Sequence, residues 1–346
     1  MAEKERIEFI DLMKGITIIL VVAFHFRVYA SPIINDMLLN IRMPVYIFLA
    51  GLFFSTYGSF KLLVVKKINR YILPILLFSP IFLIIYSWSL PYASMPQFKS
   101  DIYHVITTLD LTHANPSLWF LKMLFMLSIL CYGFEHITRN CSIAIKIAIA
   151  IIVPGIWFYI NPLIIPHYLN QEPWALALIH STLSPSVCFF QIYYIAYLLR
   201  HFVTRQNHSK VIMSALLPIA LILLYLCHED PVFFGRGLCG ENYLKMLISN
   251  TSGIYIVFYI SYLLKHVPYV SYMGRYSLVV LCTHYIVYII LTDVLNMTNA
   301  YINFAIILAI SPIIIYIFTR YLPHFTAQKD LIKVTDDGKI RISFSN

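Results

Sequence analysis

Apolar residues run for about twenty positions at a time along this chain, and short polar segments separate the runs. The apolar stretches fall near 9–29, 41–58, 71–90, 117–136, 143–160, 175–199, 211–227, 245–264, 276–295 and 301–319. Each approaches the ~20 residues that a helix needs to cross a bilayer core. Lipid offers no partner to a bare backbone, so only helices or a closed barrel can span it. Barrel strands would read as alternating segments of about ten residues, whereas these runs are continuous. The pattern predicts an all-α membrane protein, a polytopic bundle of about ten transmembrane helices. After Arg320 the material changes. The stretch LIKVTDDGKIRISF alternates apolar and polar positions around an Asp-Gly pair, which predicts a small hairpin. Residues 1–320 are therefore expected to form the membrane domain and 321–346 a short tail.

Composition fits this division. Hydrophobic residues make up 60% of the 346 and charged residues 12%, against about a quarter charged in soluble domains. The net charge of +9 would suit a nucleic acid, but its placement excludes that reading. Lys61, Lys66, Lys67 and Arg70 crowd one short segment, and Lys and Arg recur in 137–146, 200–210, 265–275 and the tail, while 161–174 and 296–300 have none. This alternation is the positive-inside bias. It predicts an even number of spans with both termini cytoplasmic, and the charged MAEKER start is read as leading into a retained first span because Lys14 splits its apolar core.

Two outer loops are long: 91–116, with Asp101, His104, Asp110 and His113, and 228–244, with His228, Glu229, Asp230, Arg236 and Glu241. Each reads equally as a solvated connector or a functional loop. Trp88, Tyr92, Trp157 and Trp174 near outer span ends fit an interfacial aromatic belt better than sugar stacking. The six cysteines show no CxxC spacing and read as small apolar residues, with Cys227–Cys239 the pair an outer-loop disulfide would join. The histidines show no HExxH spacing, so no metal is expected.

Chemistry enters with charges at membrane depth, which are costly and mark functional sites by default. The first span, IDLMKGITIILVVAFHFRVY, carries Asp11, Lys14 and His25. Their spacing puts all three on nearly one helical face, with Lys14 and His25 roughly 16 Å apart along the axis. Alone, Lys14 would fit a snorkelling cation and His25 a hydrogen-bonded structural histidine; together they outline one polar stripe. His284 lies mid-span in GRYSLVVLCTHYIVY, seven residues after Ser277. Arg42 at the expected outer start of span two, and Lys122 in span four, fit either a buried carboxylate partner or headgroup contact.

These stretches together resemble the acyltransferase-3 family of integral membrane acyltransferases. The resemblance rests on Asp11 through Lys14-Gly15 to His25, on MPVYIFLAGLFF (43–54), on KKINRYILP (66–74), on SLWFL (117–121), and on Gly274, Ser277, Leu278 and His284. It departs at Ala50, where the family commonly has Ser, so a hydroxyl there is not essential in this protein. The resemblance implies an O-acyltransferase of the bacterial cytoplasmic (inner) membrane. It would move an acyl group, usually acetyl from acetyl-CoA, to a carbohydrate hydroxyl on a surface polysaccharide, glycolipid or lipid-linked oligosaccharide. In that reading His25 acts as general base or transient acyl carrier, Asp11 and Lys14 form a positioning charge pair, and His284 orients the acceptor or the acyl carbonyl. Lys66, Lys67 and Arg70 would hold the phosphates of the donor, or simply signal topology. Arg42, Ser277 and Trp119 are the candidates for positioning acceptor or acyl group. The rival from another class is a transporter or flippase of a glycolipid or small solute, against which stands the lack of matched broken spans or internal symmetry.

Overall fold

The structure, a computed structural model, describes residues 7–28, 31–89, 117–168, 182–205, 207–228, 242–335 and 338–342. The expected outer-loop residues Asp101, His104, Asp110, His113, Glu229, Asp230, Arg236 and Glu241 lie outside it, as do Tyr92, Trp174, Cys239 and the side chain of Trp88.

Each of the ten apolar stretches contains helix. The elements are α1 (Glu8–His25), α2 (Pro32–Leu52), α3 (Phe60–Lys67), a π-helical turn (Ile68–Ile72), α4 (Leu73–Ser89), α5 (Trp119–Ile137) and α6 (Ile143–Tyr168). There follow α7 (Thr182–Cys188), then α8 (Phe190–Val203), α9 (Lys210–Leu226), α10 (Tyr243–Leu264), α11 (Pro268–Arg275), α12 (Ser277–Ile289), a second π-helical turn (Ile290–Val294) and α13 (Ala300–Tyr321). Among the described residues, seven helical segments qualify by length and hydropathy as membrane spans, or eight if α7 and α8, bent by 53°, count as one. Strands β1 (Ile332–Val334) and β2 (Ile340–Ile342) pair antiparallel with Lys333 opposite Arg341.

Two boundaries differ from expectation for local reasons. Helix α2 begins nine residues early, because the Ser31 side chain accepts from the Ile34 N–H and Pro32 follows at the first helical position, a favoured helix start. Arg42 therefore sits midway along α2 rather than at its outer end. The basic segment expected as a loop is helical instead: Ser59 caps α3, and the chain continues through the widened turn at 68–72. Pro74, with no N–H to offer the Arg70 carbonyl, lies just beyond that turn.

The chain forms two compact units, Met1–Phe54 with Gln191–Phe233 and Cys239–Ser277, and Ser55–Phe190 with Phe234–Leu238 and Leu278–Asn346. In the first unit α1 packs most extensively on α11, and α10 packs on α2, α1 and α9. Small residues allow this. A Cβ on Gly15 would fall 1.9 Å from the Val270 carbonyl oxygen, and one on Gly274 would fall 1.8 Å from that of Asp11. Gly253 of α10 likewise lies against α2 at Ile41 and the Asn40 carbonyl, the carbonyl that Pro44 cannot serve.

In the second unit α5 packs on α3 and the first π-helical turn, and α4 on the second. The Ser117 hydroxyl donates to the Leu281 carbonyl at 3.0 Å, tying the start of α5 to α12. Cys227 is a free, buried thiol, so it forms no bridge to Cys239; among the described cysteines Cys188 is disulfide-bonded.

Candidate functional site

In the first unit the polar stripe of α1 meets a stripe of α2. Asp11 and Lys14, one turn apart, approach to 4.0 Å and are largely covered, at 14% and 25% exposure. The Lys14 ammonium lies 5.5 Å from the centre of the Phe53 ring, a cation–π contact. The Lys14 carbonyl accepts a 3.0 Å hydrogen bond from the Tyr46 hydroxyl, which also bonds Ser277. Asp11, Lys14, Tyr46 and Ser277 thus converge at the N-terminal end of α1. The close approach of Gly15 and Gly274 brings the end of α11, and with it Ser277 at the start of α12, to that point.

At the other end, half-buried His25 is the last residue of α1. Its ring meets Phe24 edge-on at 5.3 Å, and the Arg42 guanidinium lies 4.1 Å from the centre of the Phe24 ring. Arg42 and Tyr46 lie one turn apart on one face of α2, and Phe53, which follows its last residue, continues that line. That face runs alongside α1 from His25 to Lys14, so the ~16 Å between them is lined by a facing helix. Tyr46, Phe53 and Phe24 were not singled out from sequence, although the spacing on α2 was there to read.

In the second unit His284 is fully buried, and its Nδ1 lies 2.9 Å from the Val280 carbonyl oxygen. A carbonyl only accepts, so Nδ1 carries the hydrogen and Nε2 is the basic nitrogen of the neutral ring. Trp119 opens α5 two residues after Ser117, whose bond to Leu281 lies three residues before His284. The motifs SLWFL and GxxSL…H therefore meet in space. Lys122 lies one turn further along α5.

The three cations expected to act together face three ways. Lys67 is buried at 3% exposure, with its ammonium 5.5 Å from the centre of the Tyr71 ring. Lys66 forms an ion pair with Asp330 of the tail, and Arg70 is exposed. Beside them Asn69 clasps the tail. Its amide nitrogen donates to the Val65 and Ile332 carbonyls at 3.0 and 2.7 Å. Its oxygen accepts from the Leu331 and Ile332 N–H groups, both at 2.9 Å. Lys61 adds a hydrogen bond to the Gly338 carbonyl. Among the described residues no group of three or more His, Cys, Asp or Glu is placed to hold a metal.

The glycine contacts, the charged stripe and the two motif meetings span most of the chain, and so does its likeness to known proteins: the acyltransferase domain of the acyltransferase-3 family matches residues 7–321. The chain belongs to the acyltransferase-3 family. As a member with at least seven helices able to cross a bilayer, this acyltransferase-3 protein is a multi-pass membrane acyltransferase. Comparisons with curated proteins and with solved structures return no match. In this acyltransferase-3 chain the matched region takes in every candidate site residue and ends at Tyr321, before the hairpin that Asn69 holds.

Proposed function

We propose that this protein transfers an acyl group, acetyl in the simplest case, from acyl-CoA to a hydroxyl of a cell-surface or lipid-linked carbohydrate at the bacterial inner membrane. The observation that carries this reading is the stripe of α1 from Asp11 and Lys14 to His25, faced along its length by Arg42, Tyr46 and Phe53. A catalyst joining a cytoplasmic thioester to an acceptor on the other side needs such a line of polar groups through apolar surroundings.

In this reading the imidazole of His25 takes the proton of the acceptor hydroxyl as its oxygen attacks the thioester carbonyl. The new C–O bond forms, the C–S bond breaks, and the departing coenzyme A thiolate takes the proton back from the imidazolium. Lys14, braced by Asp11 and Phe53, supplies positive charge on the donor side. In the second unit Lys66, Lys67 and Arg70 are separate candidates for the donor's phosphates, Lys67 being a buried cation. Ser277, Trp119 and His284 help position acceptor or acyl group.

The test uses proteoliposomes containing the full chain, acetyl-CoA and a panel of oligosaccharides, with release of free coenzyme A and of acetylated sugar measured together. Wild-type protein is expected to produce both in equal amounts, and His25→Ala to lose about 10²–10⁴-fold in turnover. Folded wild-type protein that releases no coenzyme A but moves labelled glycolipid across the bilayer would favour a transporter. Full turnover by His25→Ala would remove the base assignment while leaving the reaction class intact.

A further inference from the structure

Arg42 is a buried cation of the first unit. It is 3% exposed, and among the described residues it makes no ion pair and no hydrogen bond, with its Nη2 fully buried. Asp36 acts on it only through space, beyond ion-pair distance, and its guanidinium lies 4.1 Å from the centre of the Phe24 ring. A buried guanidinium with five unused donors is costly, because desolvation is not offset. A second orphan belongs to the same α1–α2–α10 packing. Asn250, 1% exposed, has neither amide atom bonded, and it lies one turn from Gly253, which contacts Ile41 beside Arg42.

We infer that Arg42, assisted by Asn250, receives an anionic group carried by the acceptor, so that the carbohydrate modified is an acidic one bearing a carboxylate or phosphate. This rests on the acyltransfer reading above and names its substrate class. The guanidinium fork matches both anions with two parallel hydrogen bonds, which a lysine could not do. Arg42 and His25 contact the same Phe24 ring. The anion therefore docks about one sugar ring from the hydroxyl that loses its proton. Asn250 offers a donor and an acceptor to the ring's neutral hydroxyls. Arg42 is a specificity residue in this scheme, and the acyl group does not touch it.

The experiment compares a glucuronate-containing oligosaccharide, its carboxyl-reduced counterpart and a phosphodiester-substituted one, as acceptors and, separately, as ligands by calorimetry with purified full-length protein. Wild type is expected to favour the acidic forms by about tenfold or more in kcat/KM and in affinity. Arg42→Gln is expected to bring that ratio to about one by raising KM for the acidic acceptors about tenfold more than for the neutral one. Equal handling of acidic and neutral forms by wild type overturns the inference whether or not any variant folds. So does an Arg42→Gln loss shared equally by all acceptors, which would mark a role in the acyl step or in packing. Vesicles with and without phosphatidylglycerol form the third arm: saccharide discrimination lost only in the anionic vesicles would assign the site to lipid phosphate instead. Because the calorimetric arm needs no turnover, failure of the acyltransfer reading is distinguishable from failure of the acidic-acceptor assignment.

Discussion

Replacing Gly274 by alanine tests whether two motif glycines set the geometry of the charged stripe. The new Cβ would lie 1.8 Å from the Asp11 carbonyl oxygen and 2.5 Å from the Gly15 nitrogen. Both obstacles are backbone, so no rotamer change relieves them. Helices α1 and α11 must separate by about 1.2 Å merely to bring the nearest contact to 3.0 Å. Overpacking of this kind costs about 1–3 kcal/mol, and the upper end applies where backbone must move. Because α1 also accepts the 3.0 Å hydrogen bond from Tyr46 at the Lys14 carbonyl, a shift of α1 puts at stake about 1 kcal/mol more. A misplacement of about 1 Å near the chemistry lowers turnover by about 10²-fold. Gly274→Ala should therefore melt roughly 5 °C or more below wild type in detergent and lose most acyl transfer. Gly133→Ala in α5 is the control: nothing lies within 4 Å of its added Cβ, and helix propensity favours alanine by up to about 1 kcal/mol. Should Gly274→Ala match Gly133→Ala in both melting and turnover, the proposed role of close backbone contact is refuted.

Tyr46→Phe removes the bridge between α1 and Ser277 and should lower kcat several-fold with stability reduced by about 1 kcal/mol; unchanged kcat would separate the bridge from catalysis. Asn69→Leu strips three hydrogen bonds from the tail, so trypsin should cut at Lys329 and Lys333 at least about tenfold faster, with equal rates counting against the clasp. Asp330→Ala breaks an ion pair whose partners are 39% and 34% exposed, so melting should shift little. If Lys66 serves the donor, its release should lower KM for acyl-CoA while Lys66→Ala raises it.

The spans were legible because lipid tolerates little besides long apolar helices, and that constraint is written directly into the sequence. The polar stripe of α1 was legible for the same reason, since charges there stand out. What periodicity missed lay where polar residues disguised a helix. Asn35, Asp36 and Asn40 hid the first turns of α2, although Ser31-Pro32 signalled its start. Likewise FKLLVVKK reads as a basic loop until the Ser59 cap is noticed. The pairing of Gly15 with Gly274 and the splitting of Lys66, Lys67 and Arg70 in three directions could not be read at all. They depend on which helices meet, and single-chain spacing does not carry that information.

The clasp at Asn69 has an evolutionary corollary. Its amide engages only main-chain groups of the tail, as a neighbouring strand would. The Asn69 hydrogen bonds are therefore indifferent to side-chain identity, and the side chain they leave constrained is the buried Leu331. An extended segment that presents a carbonyl, two successive N–H groups and one apolar side chain would seat there, so much of the sequence beyond the membrane domain could be exchanged without rebuilding the socket that receives it.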